Sequence, residues 1–250
     1  MHSHRGRKFL VLDELKSVLK HGVCPGNPAG RVGWRVLLAG LALAVVCFFY
    51  FDRLWLDFSS GWWRDTPMRQ DICSAIGVYG DFYPFNLLIF IILLVAGFLM
   101  RSRYLMRLAL VSLLSGALAG GVAVTAKFML GRPRPRTVLA GKSADPNEFC
   151  GPFHGAAWAS FPSGHAATSV GAAVPVLLAV PEIGVPVTLV AACISGSRVV
   201  GLYHYPSDVL AGASLGLFFS IRCGWSLRRI RRKARSFRFY ILAPWVGRTP

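Results

Sequence analysis

The chain has 250 residues, of which 54% are hydrophobic and only 16% charged. A soluble domain carries about a quarter charged residues; here the apolar excess falls in long blocks, which argues for a polytopic membrane protein instead. The net charge of +17 sits mainly at the two ends and in one short loop, as membrane topology demands, which argues against a nucleic-acid-binding surface.

In chain order, residues 9–20 place Phe9, Leu12, Leu15 and Leu19 on one helical face, with Lys8, Lys16 and Lys20 elsewhere. This basic amphipathic pattern suits a helix on an anionic membrane surface, or an ordinary helix packed on the bundle. Asp13, Glu14 and Lys16 interrupt any signal-peptide core, so the first span is expected to be a retained anchor. A Gly/Pro-rich connector follows from Pro25 to Gly33.

Apolar segments are predicted at about 33–51, 84–100, 105–130, 163–180, 187–202 and 207–225. After the first comes an expected loop with Asp52, Asp57, Asp65, Asp71 and Asp81, and with Trp55, Trp62 and Trp63 as an interfacial belt. Arg101, Arg103 and Arg107 form a short basic turn. In the third segment, Ser112, Ser115, Gly116, Ala119, Gly120 and Gly121 would let neighbouring helices approach closely. A polar loop spans Gly131–Phe161, a turn spans Pro181–Pro186, and a tail rich in arginine follows Trp225. The expected organisation is a basic amphipathic segment 1–32, a six-helix membrane domain 33–225 and a basic tail 226–250.

Six spans put both termini on one side, and the positive-inside rule makes that side cytoplasmic. The ends of segments three and five and the start of segment four then share the outer face. Three groups of polar residues lie at those ends. Lys127 is followed after six residues by Arg134-Pro135; next comes Pro162-Ser163-Gly164-His165; last comes Ser197-Arg198, then His204 and Asp208. The basic stretch from Lys127 to Lys142 breaks the charge rule on this face, and phosphate binding explains the exception.

Each group suits an oxyanion. Pro133 and Pro135 turn the chain out of helix after Lys127, so Lys127 and Arg134 converge from different directions. Ser163 is placed to cap segment four, leaving backbone N–H groups at Gly164 and His165 aimed at an anion. Arg198 offers a guanidinium fork. His204 and Asp208 are four residues apart, so one helical turn would bring them together and fix the imidazole tautomer.

This ordered set resembles the type 2 phosphatidic acid phosphatase (PAP2) superfamily, which includes bacterial acid phosphatases and vanadium haloperoxidases. The resemblance covers roughly residues 127–208. It implies an all-α membrane bundle of about six helices with a PAP2/haloperoxidase-like core. It also implies His204 as nucleophile, His165 as general acid and then base, and Asp208 as the residue orienting His204. Lys127, Arg134, Ser163, Gly164 and Arg198 would bind phosphate. No metal or other cofactor is implied, because side chains supply the cations.

The expected activity is a metal-independent lipid phosphate phosphatase acting through a phosphohistidine. Phosphatidate, phosphatidylglycerophosphate, undecaprenyl diphosphate and lipid A are the candidate substrates. The expected partners are that lipid and the bilayer, with no nucleic acid, and the expected setting is a bacterial inner membrane with the site facing the periplasm. The alternative is a non-catalytic anion channel or transporter, for which rings of Lys and Arg would suffice; the His–Asp pair and second histidine are superfluous there. Peroxidase chemistry is set aside because those relatives are soluble. Arg132 and Arg136 are open between substrate contact and loop structure. Cys73 and Cys150 alone fall on the outer side, leaving a disulfide between them open.

Overall fold

The computed structural model describes residues 16, 28–63, 67–143 and 145–227. The amphipathic segment 9–20, apart from Lys16, and the tail from Arg228 lie outside the described residues.

Among the described residues every regular element is helical. Helix α1 runs Pro28–Trp63 and α2 runs Pro67–Tyr79. A π-helical turn, Phe82–Asn86, leads into α3 (Leu87–Leu99). Then come α4 (Arg103–Leu130), the short α5 (Pro135–Leu139), α6 (Gly164–Ala179), α7 (Pro181–Val200) and α8 (Pro206–Gly224). Each of the six expected apolar segments becomes a helix.

Three stretches, Gly30–Gly61, Arg103–Leu139 and Pro181–Val200, are long and apolar enough to cross a membrane. The bent pair Asp71–Tyr79 and Pro84–Leu99, with 49° between its halves, would make a fourth. The protein is therefore an integral membrane protein, and the count of six crossings remains an expectation. The outer faces of α1 and α3 agree: Leu38, Phe49, Leu54, Phe58, Leu88 and Ile92 are exposed, as lipid-facing side chains are.

Three boundaries differ from the sequence reading. Helix α1 starts five residues early, because Pro28 suits a first helical position, and it continues through Asp52 to Trp63. Asp52, expected in a loop, is instead fully buried. The expected 181–186 turn is absent: Pro181 opens α7 and Pro186 lies inside it, near enough to the helix start to displace few backbone bonds.

Helix α6 is the centre, packed by α4, α7 and α8, while α1 lies along α8. Small residues permit this. A Cβ on Gly171 would come 2.9 Å from Gly116 Cα, and one on Gly216 would come 2.8 Å from Ala167 O. Ser112 Oγ donates across to Ala172 O at 2.7 Å. Of the small residues expected at this seam, Ser112, Ser115, Gly116, Ala119 and Gly120 are buried, while Gly121 faces outward.

Helix ends fix the loops that carry function. Ser102 Oγ accepts from Leu105 N at the start of α4. Gly131 ends α4 in the left-handed region with φ 66°, and a Cβ there would meet Gly151 O at 2.1 Å. The chain then returns as a strap: Cys150 N donates to Gly131 O and Gly151 N to Leu130 O, both at 3.1 Å.

Candidate active site

His204 lies in the turn between α7 and α8 and is buried. Its own backbone N–H donates to Arg198 O at 3.1 Å, so the turn folds back onto the end of α7. Its Nδ1 stands 2.6 Å from Ser160 O. A carbonyl only accepts, so Nδ1 carries the hydrogen and Nε2 carries the lone pair.

Asp208 sits 3.7 Å away, Oδ2 to Nδ1. That is a charge contact rather than a hydrogen bond, which departs from the expected direct pairing. Ser160 makes the link instead. Its carbonyl takes the imidazole hydrogen, while its Oγ donates to Asp208 Oδ2 at 2.5 Å. Tyr205 N also donates to Oδ2, at 2.8 Å.

Behind Asp208 lies Arg132. Its Nη1 donates to Asp208 Oδ1 at 2.6 Å and to Ser207 Oγ at 2.9 Å. Its Nη2 donates to Asp52 Oδ2 at 2.8 Å and its Nε to Pro146 O at 3.0 Å. The guanidinium carbon lies 4.1 Å from the Tyr205 ring centroid and 4.6 Å from that of Phe48. Arg132, Asp52 and Asp208 each have 0% exposure. Arg132 is therefore a structural cation, which settles that alternative. Arg136 is also structural: it donates to Gly201 O at 2.7 Å and covers the Tyr203 ring at 3.6 Å.

The other side of His204 is different. Lys127 ends α4, and its Nζ lies 3.5 Å from where a Cβ on Gly164 would be, so the ammonium stands over the start of α6. Arg134 precedes α5 and its Nε is buried without a hydrogen-bond partner. Ser163 caps α6 by accepting from Ala166 N at a long 3.5 Å. Phe161–Pro162, just before it, is a cis peptide. His165, on the first turn of α6, is half-buried, with Nε2 3.2 Å from Gly77 O. Arg198 donates to Cys73 O. Cys73 and Gly77 are four residues apart, so one face of α2 covers both Arg198 and His165. The structure thus gathers Lys127, Arg134, Ser163, Gly164, His165 and His204 at one end of the bundle, with Arg198 turned to α2.

Burial above all lowers the His204 pKa to about 4; Asp208 opposes that fall, while the charges of Lys127 and Arg134 deepen it. His204 is therefore neutral at ordinary pH, with the lone pair on Nε2.

The family profile of the PAP2 superfamily matches residues 104–232. The chain belongs to the PAP2 superfamily. No curated protein and no solved structure matches it. Membership implies phosphatase-type chemistry, and the match spans α4 to α8, a stretch that contains every expected site residue. The PAP2 core leaves out α1 and α2, and both reach the site through residues that sequence reasoning missed: Asp52, and the carbonyls of Cys73 and Gly77. Backbone carbonyls leave no trace in side-chain identity. Asp52 had a weak signal, since it continues the spacing of the buried residues Ala44, Cys47, Leu56 and Ser59. Cys73 is buried, Cys150 is partly exposed, and neither is disulfide-bonded.

Proposed function

We propose that this protein is a membrane lipid phosphate phosphatase working through a phosphohistidine. The observation that carries this reading is the fixed tautomer of His204: Nδ1 is committed to Ser160 O, which leaves Nε2 free beside Lys127, Arg134 and the start of α6. The phosphate oxygens are held by Lys127, Arg134 and the N–H groups of Gly164 and His165, and they replace the carbonyls of Cys73 and Gly77 as partners of Arg198 and His165. Donors already in place for a developing negative charge are a strong source of rate acceleration.

In the first step His204 Nε2 forms a bond to phosphorus while the bond to the leaving oxygen breaks. His165, protonated once the phosphate anion is bound beside it, gives its Nε2 hydrogen to that oxygen and becomes neutral. In the second step water attacks phosphorus, His165 takes the water proton, and the Nε2–phosphorus bond breaks to release phosphate. The cations that this chemistry needs are side chains. Among the described residues no group of three or more His, Cys, Asp or Glu side chains is placed to hold a metal ion.

A lipid substrate fits the apolar helices and an open groove of about 310 Å³ beside Pro206, lined by Cys47, Phe51, Leu54, Trp55 and Phe58. Phosphatidate, phosphatidylglycerophosphate, undecaprenyl diphosphate and lipid A are the candidates. The setting we propose is a bacterial inner membrane crossed six times, with the site facing the periplasm and residues 1–32 and 226–250 in the cytoplasm.

Rapid quench with labelled substrate, in excess chelator, tests the chemistry. His204→Ala should turn over no ester. His165→Ala should lose on the order of 10²–10⁴-fold with a lipid phosphate, yet still form phosphoenzyme from p-nitrophenyl phosphate, whose leaving group needs little protonation. A phosphoenzyme trapped by His204→Ala and absent from His165→Ala reverses the assignment. Activity lost to chelator and restored by magnesium or zinc sinks the metal-free mechanism.

A further inference from the structure

Asp52 is a carboxylate in the middle of a lipid-facing helix, outside the matched family core, and it is fully buried. A charge in that position is costly unless paired and hydrogen-bonded. Here the pairing is complete. Oδ2 accepts from Arg132 Nη2 at 2.8 Å and from Ser207 Oγ, and Oδ1 accepts from Ser207 N at 3.1 Å. Ser207 lies between Pro206 and Asp208 in the first turn of α8, so Asp52 ties α1 to the turn that presents His204.

The charges explain why a second acid is needed. Arg132 alone would neutralise Asp208, leaving no net negative charge behind His204. With Asp52 present, the three buried groups carry one net negative charge. His204 becomes positive when its Nε2 bonds phosphorus, because Nδ1 keeps its hydrogen. We propose that Asp52 is a positioning residue for His204: it holds the first turn of α8 and offsets Arg132, so that the charge of Asp208 stabilises the phosphoimidazolium. This rests on the reading of His204 as the nucleophile.

The other charged groups around His204 are fixed by their own elements: Lys127 on α4, Arg134 after it, and Arg198 on α7, whose carbonyl accepts His204 N–H. Asp52→Asn keeps the size of the side chain, removes the charge offset and puts an amide donor where one acceptor oxygen stood; the double variant with Arg132→Gln separates the two effects. The measurement is phosphoenzyme formation against pH for the full-length protein in detergent, using p-nitrophenyl phosphate, with thermal unfolding followed in parallel.

Asp52→Asn should slow phosphoenzyme formation on the order of tenfold with KM little changed. Its acid limb should move down on the order of one pH unit, because the uncompensated guanidinium opposes a positive imidazole. Arg132→Gln combined with Asp52→Asn restores the single negative charge of Asp208, and should return the acid limb to its wild-type position even where Tm falls. If Asp52→Asn lowers Tm but leaves both rate and acid limb unmoved, Asp52 only supports the fold and the proposal is wrong. If the double variant keeps the shifted limb, the charge argument is wrong. A wild-type protein that forms no phosphoenzyme overturns the phosphatase reading itself, and this inference with it, which distinguishes the two failures.

Discussion

The two sides of the His204 ring are built on opposite plans. Behind Nδ1, Ser160, Asp208, Arg132, Ser207 and Asp52 form one buried network in which each carboxylate meets the guanidinium and accepts further hydrogen bonds. In front of Nε2 the cations have little to pair them: Arg134 has a buried Nε without a hydrogen-bond partner and Arg198 leans on a carbonyl of α2, as does the imidazole of His165. The first side is complete in itself. On the reading proposed above, an anion would complete the second. Removing a part from the first side should therefore harm the fold, and removing one from the second should harm binding.

The largest effect expected is at Arg132. Arg132→Met leaves Asp52 and Asp208 buried together without a cation, which costs about 3–5 kcal/mol when one partner of such a pair is removed. Arg134→Ala, two residues along, should change stability little and remove phosphate binding. Thermal unfolding of both variants in detergent decides this; a stable Arg132→Met beside an unfolded Arg134→Ala would invert the comparison.

Next in size is pH. The folded pKa of His204, about 4, lies below the usual 6.5, so between those values the unfolded chain binds a proton that the native chain does not. Stability from this site is complete above about pH 6.5 and is lost as pH falls toward 4, by up to about 3 kcal/mol. His204→Gln should flatten that slope. An equally steep loss of Tm in the variant would show that another group is responsible.

The smallest effect sharpens the other side. Inorganic phosphate or vanadate should raise Tm, by about 2.7 kcal/mol of stability at a hundredfold excess over Kd. Lys127→Ala or Arg134→Ala should abolish the rise. No rise in wild-type protein at any concentration would mean that these cations do not form an anion site.

The sequence made one side of the ring far more legible than the other. Lys127, Arg134, His165 and His204 announce themselves, because cations and imidazoles at the ends of apolar helices have few structural uses. The apolar blocks were legible too, and Ser163 reads as the cap of one of them, but the start of α7 was not, because Pro181 and Pro186 together read as a turn. Asp52 was not, because a lone acid after Phe51 reads as the end of a membrane segment, and its partner Arg132 is 80 residues away. Ser160 was missed because its backbone, not its side chain, binds the imidazole. The role of α2 was missed for the same reason: the carbonyls of Cys73 and Gly77 belong to any residue type.

Helix α6 has 16 residues, a length of about 24 Å at 1.5 Å per residue. The hydrocarbon layer of a membrane is about 30 Å thick. A helix that short, standing at the centre of the bundle, does not carry both ends to the two headgroup planes. At least one of its ends then sits below a membrane surface unless the bilayer dimples to meet it, and if it is the end with the Ser163 cap and His165, the site is sunk in its leaflet. If the substrate is the lipid phosphate proposed above, the thickness of the surrounding membrane would set how far a headgroup must sink to reach the site, and changes in acyl-chain length or sterol content would tune the protein without touching a single one of its residues.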